Sequence, residues 1–230
     1  MNILDTINFG TKKLKQKKII SSRLDSELLL SKILNKKKKE ILINLDQDIS
    51  QRCFSKYKDL IFRRSQNEPI AYILKEKEFW SKLFFVNSDT LIPRPETELM
   101  VEKLADIFKG KKISILDMGT GSGCILISLL SELTNSKGLG VDISKKAIII
   151  AKKNLRKHSM QGRIKFLNKS LDSEFYQKFD LIVSNPPYIR SNELKNLKED
   201  IKKYEPRIAL DGGNDGLDLI KKVIYKTKYI

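Results

Sequence analysis

With 230 residues the chain can bury one sizeable core and a smaller one, enough to fold without a metal or disulfide staple. It has no apolar stretch of eighteen residues and no signal-peptide pattern, which argues against a membrane partner and leads us to expect a soluble, cytoplasmic protein. The net charge of +17 invites a nucleic-acid partner. Most of the excess is lysine in scattered runs such as Lys36-Lys37-Lys38-Lys39, and it reads better as solvated surface, so nucleic acid is not required. Cys53 and Cys124 fit no metal spacing and read as reduced core thiols, which suits a reducing compartment and gives no metal site.

Residues 1–75 show helical periodicity. Leu24, Leu28, Leu30, Ile33 and Leu34 follow a Ser22-Arg23-Leu24-Asp25 start signal, and Cys53, Phe54, Tyr57, Leu60 and Ile61 mark a second stripe ended by Pro69. No catalytic constellation falls here, so this is a small helical bundle that either recognises a partner or only shields the rest. Residues 76–92 read as a hairpin linker with Asn87-Ser88-Asp89 as its turn. Pro93-Arg94-Pro95 then opens a helix, with Glu96 and Glu98 favouring its amino end.

From residue 113 onward, strand and helix alternate, which predicts an α/β parallel, doubly wound sheet. The strands are expected at 113–117, 138–142, 163–167 and 179–184, with helices from 125, 145 and about 216. The first strand runs into Gly119-Thr120-Gly121-Ser122-Gly123, whose alternating glycines let backbone and helix-start amides approach a ligand closely. Asp142 closes the next strand about 20 residues on, where α/β nucleotide sites hold an acid for ribose hydroxyls. The last strand ends in Asn185-Pro186-Pro187-Tyr188. The Asn185 side-chain oxygen and the Pro186 carbonyl are two rigidly held acceptors, and Tyr188 offers a flat wall. Such a turn suits a planar group carrying NH2, an amide or a base amine. His158, in a basic helix end, reads as a surface residue, and Asp211-Gly212-Gly213-Asn214-Asp215-Gly216 reads as a flexible turn capping the next helix.

These motifs, with Glu68-Pro69-Ile70-Ala71-Tyr72-Ile73, Leu91-Ile92-Pro93-Arg94-Pro95-Glu96-Thr97-Glu98 and Glu205-Pro206-Arg207-Ile208-Ala209-Leu210-Asp211-Gly212-Gly213, resemble the release-factor glutamine methyltransferases, the HemK/PrmC family. The resemblance implies a class I (Rossmann-like) S-adenosylmethionine-dependent methyltransferase sheet over 93–230, preceded by an N-terminal helical domain that engages the protein substrate. Gly119, Thr120, Gly121, Ser122, Gly123, Asp142, Ser170 and Asn185 would bind the cofactor. Asn185, Pro186, Pro187 and Tyr188 would hold the substrate, with Asn185, Pro186 and Tyr188 catalytic. The 93–98 loop would lie over the cofactor, where the residues by themselves read equally well as helix capping. One departure stands out: the family carries an acid followed by an aromatic after the third strand, where this chain has Lys169-Ser170-Leu171 with Asp172 displaced.

The implied reaction is methyl transfer to the side-chain amide nitrogen (N5) of glutamine in the Gly-Gly-Gln motif of peptide chain release factors. Two alternatives are an N6-adenine or other nucleic-acid methyltransferase, and an inactive cofactor-binding fragment. In this class of fold three more strands follow the last helix, so 93–230 is expected to be an incomplete domain. Strand 179–184 should then be an apolar sheet edge, prone to aggregation.

Overall fold

A computed structural model describes residues 1–175 and 177–228; Tyr229 and Ile230, which end the expected C-terminal segment, lie outside the described residues. The chain forms two compact units, Met1–Leu74 and Lys75–Ile230. The first unit holds α1 (Ile3–Gln16), α2 (Ser22–Leu34), α3 (Lys38–Leu42), α4 (Gln51–Ser65) and α5 (Ile70–Leu74). Asn2 and Ser50 start α1 and α4 by accepting the Asp5 and Cys53 amides, as N-cap residues do. Ile3, Ile7, Leu14, Leu29, Leu30, Tyr57 and Ile61 form its core.

On α2 the expected stripe holds in its second half, where Leu30 is buried and Ile33 and Leu34 pack against the core, but not at its start. Leu24 is exposed, while Ser22, Asp25 and Ser26 are buried. Because α2 packs on both α1 and α4, its buried arc passes through small side chains, with Ser26 facing Gly10. Asp25 is satisfied there by Arg64 at 2.7 Å and by the Ser21 hydroxyl at 2.8 Å. Cys53 is half-buried, whereas Cys124 is a buried free thiol whose pKa burial pushes up to about 12.

The second unit opens with an antiparallel hairpin, β1 (Glu76–Phe79) and β2 (Lys82–Phe85). Its turn is Trp80-Ser81, not the expected Asn87-Ser88-Asp89. Both turn residues have φ of 53°, the left-handed pair that a two-residue hairpin loop requires and that Asn-Gly ordinarily supplies. Glu98 accepts the Trp80 amide at 2.9 Å and Glu132 accepts its indole N–H at 2.8 Å, so the unfavourable conformation is held from outside.

A short turn at Pro95–Thr97 then leads into α6 (Glu98–Ile107). The alternating part follows as β3 (Ser114–Met118), α7 (Cys124–Glu132), β4 (Lys137–Asp142), α8 (Lys145–Lys157), β5 (Ile164–Asn168), β6 (Leu181–Ser184), α9 (Glu199–Tyr204) and α10 (Asp218–Lys226). The sheet is fully parallel, in the order β5-β4-β3-β6. One face, through Ile115, Phe166 and Val183, packs under α6, α7, α8 and the hairpin. The other, through Leu116, Met118 and Val141, meets Ile182, Phe175, Phe179 and Val223 of α10. Strands covered on both faces explain why they read as continuous apolar runs rather than alternating ones. Among the described residues β6 pairs only with β3, so it is a sheet edge.

Candidate active site

The chain runs from β3 outward to β4 and β5 and then returns to place β6 on the other side of β3. That reversal is the switch point beside which open α/β sheets form a crevice at the strands' carboxyl ends. A cavity of about 330 Å³ lies there. Its walls come from the loop after β3, the end of β4, residues 169–172, the turn after β6, residues 89–97, residues 206–209 and α10.

The glycine loop builds this wall differently from the expectation. Four of its amides are taken up within the fold: Gly119 and Thr120 both donate to the Val141 carbonyl, Gly121 to Asp142 Oδ2 at 2.9 Å, and Gly123 to the Thr120 carbonyl at 2.8 Å. The carboxyl end of β4 needs donors, and the loop supplies them. Asp142 Oδ1 also accepts from Ser144 at 2.8 Å, so the carboxylate is fixed at the cavity wall with lone pairs to spare. Gly123, with φ of 80°, does not line the cavity; a Cβ there would stand 2.8 Å from Phe166, and its role is to seat α7 on β5.

Behind the loop lies Asp117, fully buried at the end of β3. Oδ2 accepts from the Thr120 hydroxyl at 2.6 Å, while Oδ1 has no partner. Burial raises its pKa to about 7, partly offset by Thr120. The sequence reading passed over Asp117, although a carboxylate inside an apolar strand is itself a signal.

After β6, Asn185, Pro186 and Pro187 line the cavity. Among the described residues neither the Asn185 side chain nor the Pro186 carbonyl is in a hydrogen bond, so both acceptors stand open. Tyr188 is 63% exposed and lies outside the cavity wall. Ser170 does line it, with Leu171 and Asp172, and its hydroxyl accepts the Asp172 amide at 3.1 Å.

The 93–98 segment opens a helix and also borders the cavity. It starts α6, and Pro93, Arg94 and Thr97 line the cavity. Arg94 donates to Glu205 Oε1 at 2.7 Å, and Glu205 Oε2 accepts weakly from the Ile92 amide at 3.4 Å. The Glu205 side chain is 2% exposed, so this pair bolts the two loops over the site together. Burial raises the Glu205 pKa, with Arg94 opposing that shift. His158 is half-buried rather than fully on the surface: it packs on Phe84 at 4.8 Å, and burial lowers its pKa. Among the described residues no cluster of His, Cys, Asp or Glu could hold a metal, and no helix is long and apolar enough to cross a membrane.

Residues 94–209 match the methyltransferase small domain family and residues 5–74 the PrmC N-terminal domain. The "Release factor glutamine methyltransferase" of Buchnera aphidicola subsp. Schizaphis graminum is 43% identical over 89% of this chain and 74% of its own length. The protein of that name from Clostridium botulinum is 40% identical over 99% of this chain and 82% of its own. The chain belongs to the release factor glutamine methyltransferase family. Among solved structures, the catalytic domain of hMettl16 in complex with MAT2A 3'UTR hairpin 6 superposes with a TM-score of 0.53. It covers 74% of this chain and 63% of that one at 18% identity, a likeness of fold alone.

Family membership makes this an enzyme whose cofactor is S-adenosylmethionine. The chemistry of the cavity fits that molecule. It offers a fixed carboxylate, Asp142, for hydroxyls, and apolar faces at Ile143 and Leu171 for a flat ring.

Proposed function

We propose that this chain methylates the side-chain amide nitrogen (N5) of the glutamine in the Gly-Gly-Gln motif of a peptide chain release factor. The observation that carries the reading is the pair of open acceptors, Asn185 Oδ1 and the Pro186 carbonyl, on the cavity wall opposite Asp142's loop. Family membership supports the substrate class, since curated relatives carry release factor glutamine in their names.

Bound in the cavity, S-adenosylmethionine supplies a methyl group carried on a sulfonium. The chain's own residues solve the other half of the problem. An amide nitrogen is a poor nucleophile because its lone pair is delocalised into the carbonyl. Two acceptors on its two hydrogens hold the amide plane in one orientation, and orientation of this kind contributes roughly 7–11 kcal/mol of barrier reduction. As positive charge develops on nitrogen, Asn185 and Pro186 bind those hydrogens more strongly than in the neutral amide. The attacking nitrogen is neutral, so no base is needed beforehand, and the proton leaves afterwards to water. In the same reading Asp142 holds the cofactor's ribose, Ser170 and Asp172 face its adenine, and unit Met1–Leu74 engages the release factor.

The test is to incubate the chain with methyl-labelled S-adenosylmethionine and either a release factor, DNA or RNA. Label on the release factor, lost when its Gly-Gly-Gln glutamine is replaced, supports the proposal. Label on nucleic acid and none on the release factor contradicts it.

A further inference from the structure

The Asp211–Gly216 segment is read from sequence as a flexible turn, and the structure gives it a different role. Three backbone hydrogen bonds stitch residues 210–213 to the chain leaving the Asn185-Pro186-Pro187 turn. Ile189 donates to the Leu210 carbonyl at 3.1 Å, Gly212 to the Ile189 carbonyl at 2.8 Å, and Ser191 to the Gly213 carbonyl at 2.9 Å. The Ser191 hydroxyl donates to Asp211 Oδ1 at 2.5 Å, the Gly213 amide to the same oxygen at 3.1 Å, and Arg207 holds Oδ2 at 3.2 Å.

Two glycines sit directly against the Pro187-Tyr188 peptide. A Cβ on Gly212 would come within 2.8 Å of the Pro187 carbonyl oxygen, the Tyr188 Cα and the Gly216 carbonyl oxygen. A Cβ on Gly216, whose φ is 79°, would come within 2.6 Å of the Tyr188 carbonyl oxygen. Every one of those neighbours is backbone, which cannot rotate aside as a side chain could. The Gly212 carbonyl in turn accepts the Asp218 amide at 3.1 Å at the start of α10, the helix that contributes Leu219 and Lys222 to the cavity wall.

We propose that Gly212 and Gly216 are positioning residues. They form a saddle that fixes the height and tilt of the Asn185-Pro186-Pro187-Tyr188 turn and couples it to the cofactor cavity through α10. The saddle crowds the Pro187 and Tyr188 carbonyls and leaves the Asn185 and Pro186 acceptors open. It therefore controls which oxygens of the turn can receive a substrate NH2. This inference rests on the reading of that turn as the amide-binding element.

The experiment compares Gly212→Ala, Gly216→Ala and the control Gly162→Ala, whose added methyl meets nothing within 4 Å. Each is assayed for methyl transfer to a release factor, for S-adenosylmethionine affinity by calorimetry, and for amide hydrogen exchange. The two saddle variants are expected to lose about 10²-fold or more in kcat, to hold cofactor affinity within about 3-fold, and to exchange the Ile189 and Ser191 amides at least 10-fold faster. Gly162→Ala should match the parent in all three. Should both alanine variants fail to fold, Asp211→Asn, which adds no atom to the saddle, is expected to lower kcat about 5- to 10-fold with cofactor affinity unchanged. Full kcat in the saddle variants, or cofactor affinity falling as far as kcat, overturns the proposal. A parent chain that methylates no release factor would refute the substrate assignment instead. The exchange rates would still decide the saddle, since unchanged exchange at Ile189 and Ser191 overturns it without any substrate.

Discussion

Asp117 and Asp142 close adjacent parallel strands, and burial raises the pKa of both carboxyl groups. For Asp117 the folded value of about 7 stands against an ordinary 3.8. The native chain therefore keeps this proton over a range where the unfolded chain has released it, and stability falls as pH rises from about 4 to about 7 before levelling. Asp117→Asn keeps an acceptor for Thr120 and removes the titration. Its melting temperature should fall less between pH 5 and pH 8 than the parent's, with Asp142 and Glu205 retaining part of the slope; identical slopes would contradict this account of Asp117. Asp142→Ala is expected to weaken S-adenosylmethionine binding by about 1.5–3 kcal/mol, the worth of hydrogen bonds to a charged acceptor. Calorimetry showing unchanged affinity would move the ribose contact elsewhere. Asn185→Ala should instead cost on the order of 10²–10³ in transfer rate while leaving cofactor affinity within a few-fold. Equal loss of both would reassign Asn185 to the cofactor. These three residues show how legible a site residue can be. Asn185 and Asp142 stand out in the sequence because each lies at or just past the end of an apolar strand, and both line the cavity, whereas Asp117 lies within its apolar run.

At the scale of elements, Asn154 of α8 ties the hairpin to the glycine loop. It is fully buried, accepts the Phe85 amide at 2.7 Å, and donates to the carbonyls of Phe85 and Ser122 at 3.0 and 2.9 Å. Asn154→Ala strands three backbone groups, and it should destabilise unit Lys75–Ile230 by about 2–4 kcal/mol, given 1–3 kcal/mol for each buried group left unsatisfied. A urea titration monitored by Trp80 fluorescence checks this, and a shift below about 1 kcal/mol would mean water replaces the amide. The hairpin itself was only half legible. A hairpin was legible in the sequence, but Asn87-Ser88-Asp89 carries the usual turn chemistry while Trp80-Ser81 does not. The choice was settled by Glu98 and Glu132, distant in sequence, which hold the Trp80 backbone and indole N–H groups. The Asp211–Gly216 segment misled for a related reason. Glycines that serve chain flexibility and glycines that serve close approach look identical until the neighbouring backbone is in place.

For the whole molecule, the alternation of apolar runs and amphipathic stretches was enough to foresee a parallel sheet, because strands sandwiched between helices must be apolar on both sides. The register of β6 beside β3, and hence the crevice between Asp142 and Asn185, follows from the reversal of strand order that the connections impose. What sequence alone could not give was the roof of the cavity. Arg94 and Glu205 lie 111 residues apart and meet only through the fold. The central claim is that the open acceptors Asn185 and Pro186 serve a glutamine amide rather than a base amine. Its most direct test is mass spectrometry of a release factor incubated with this chain and S-adenosylmethionine. A single added methyl is expected on the side-chain nitrogen of the Gly-Gly-Gln glutamine, absent when Asn185→Ala replaces the parent enzyme. A release factor left unmodified while DNA or RNA acquires the methyl group would contradict it.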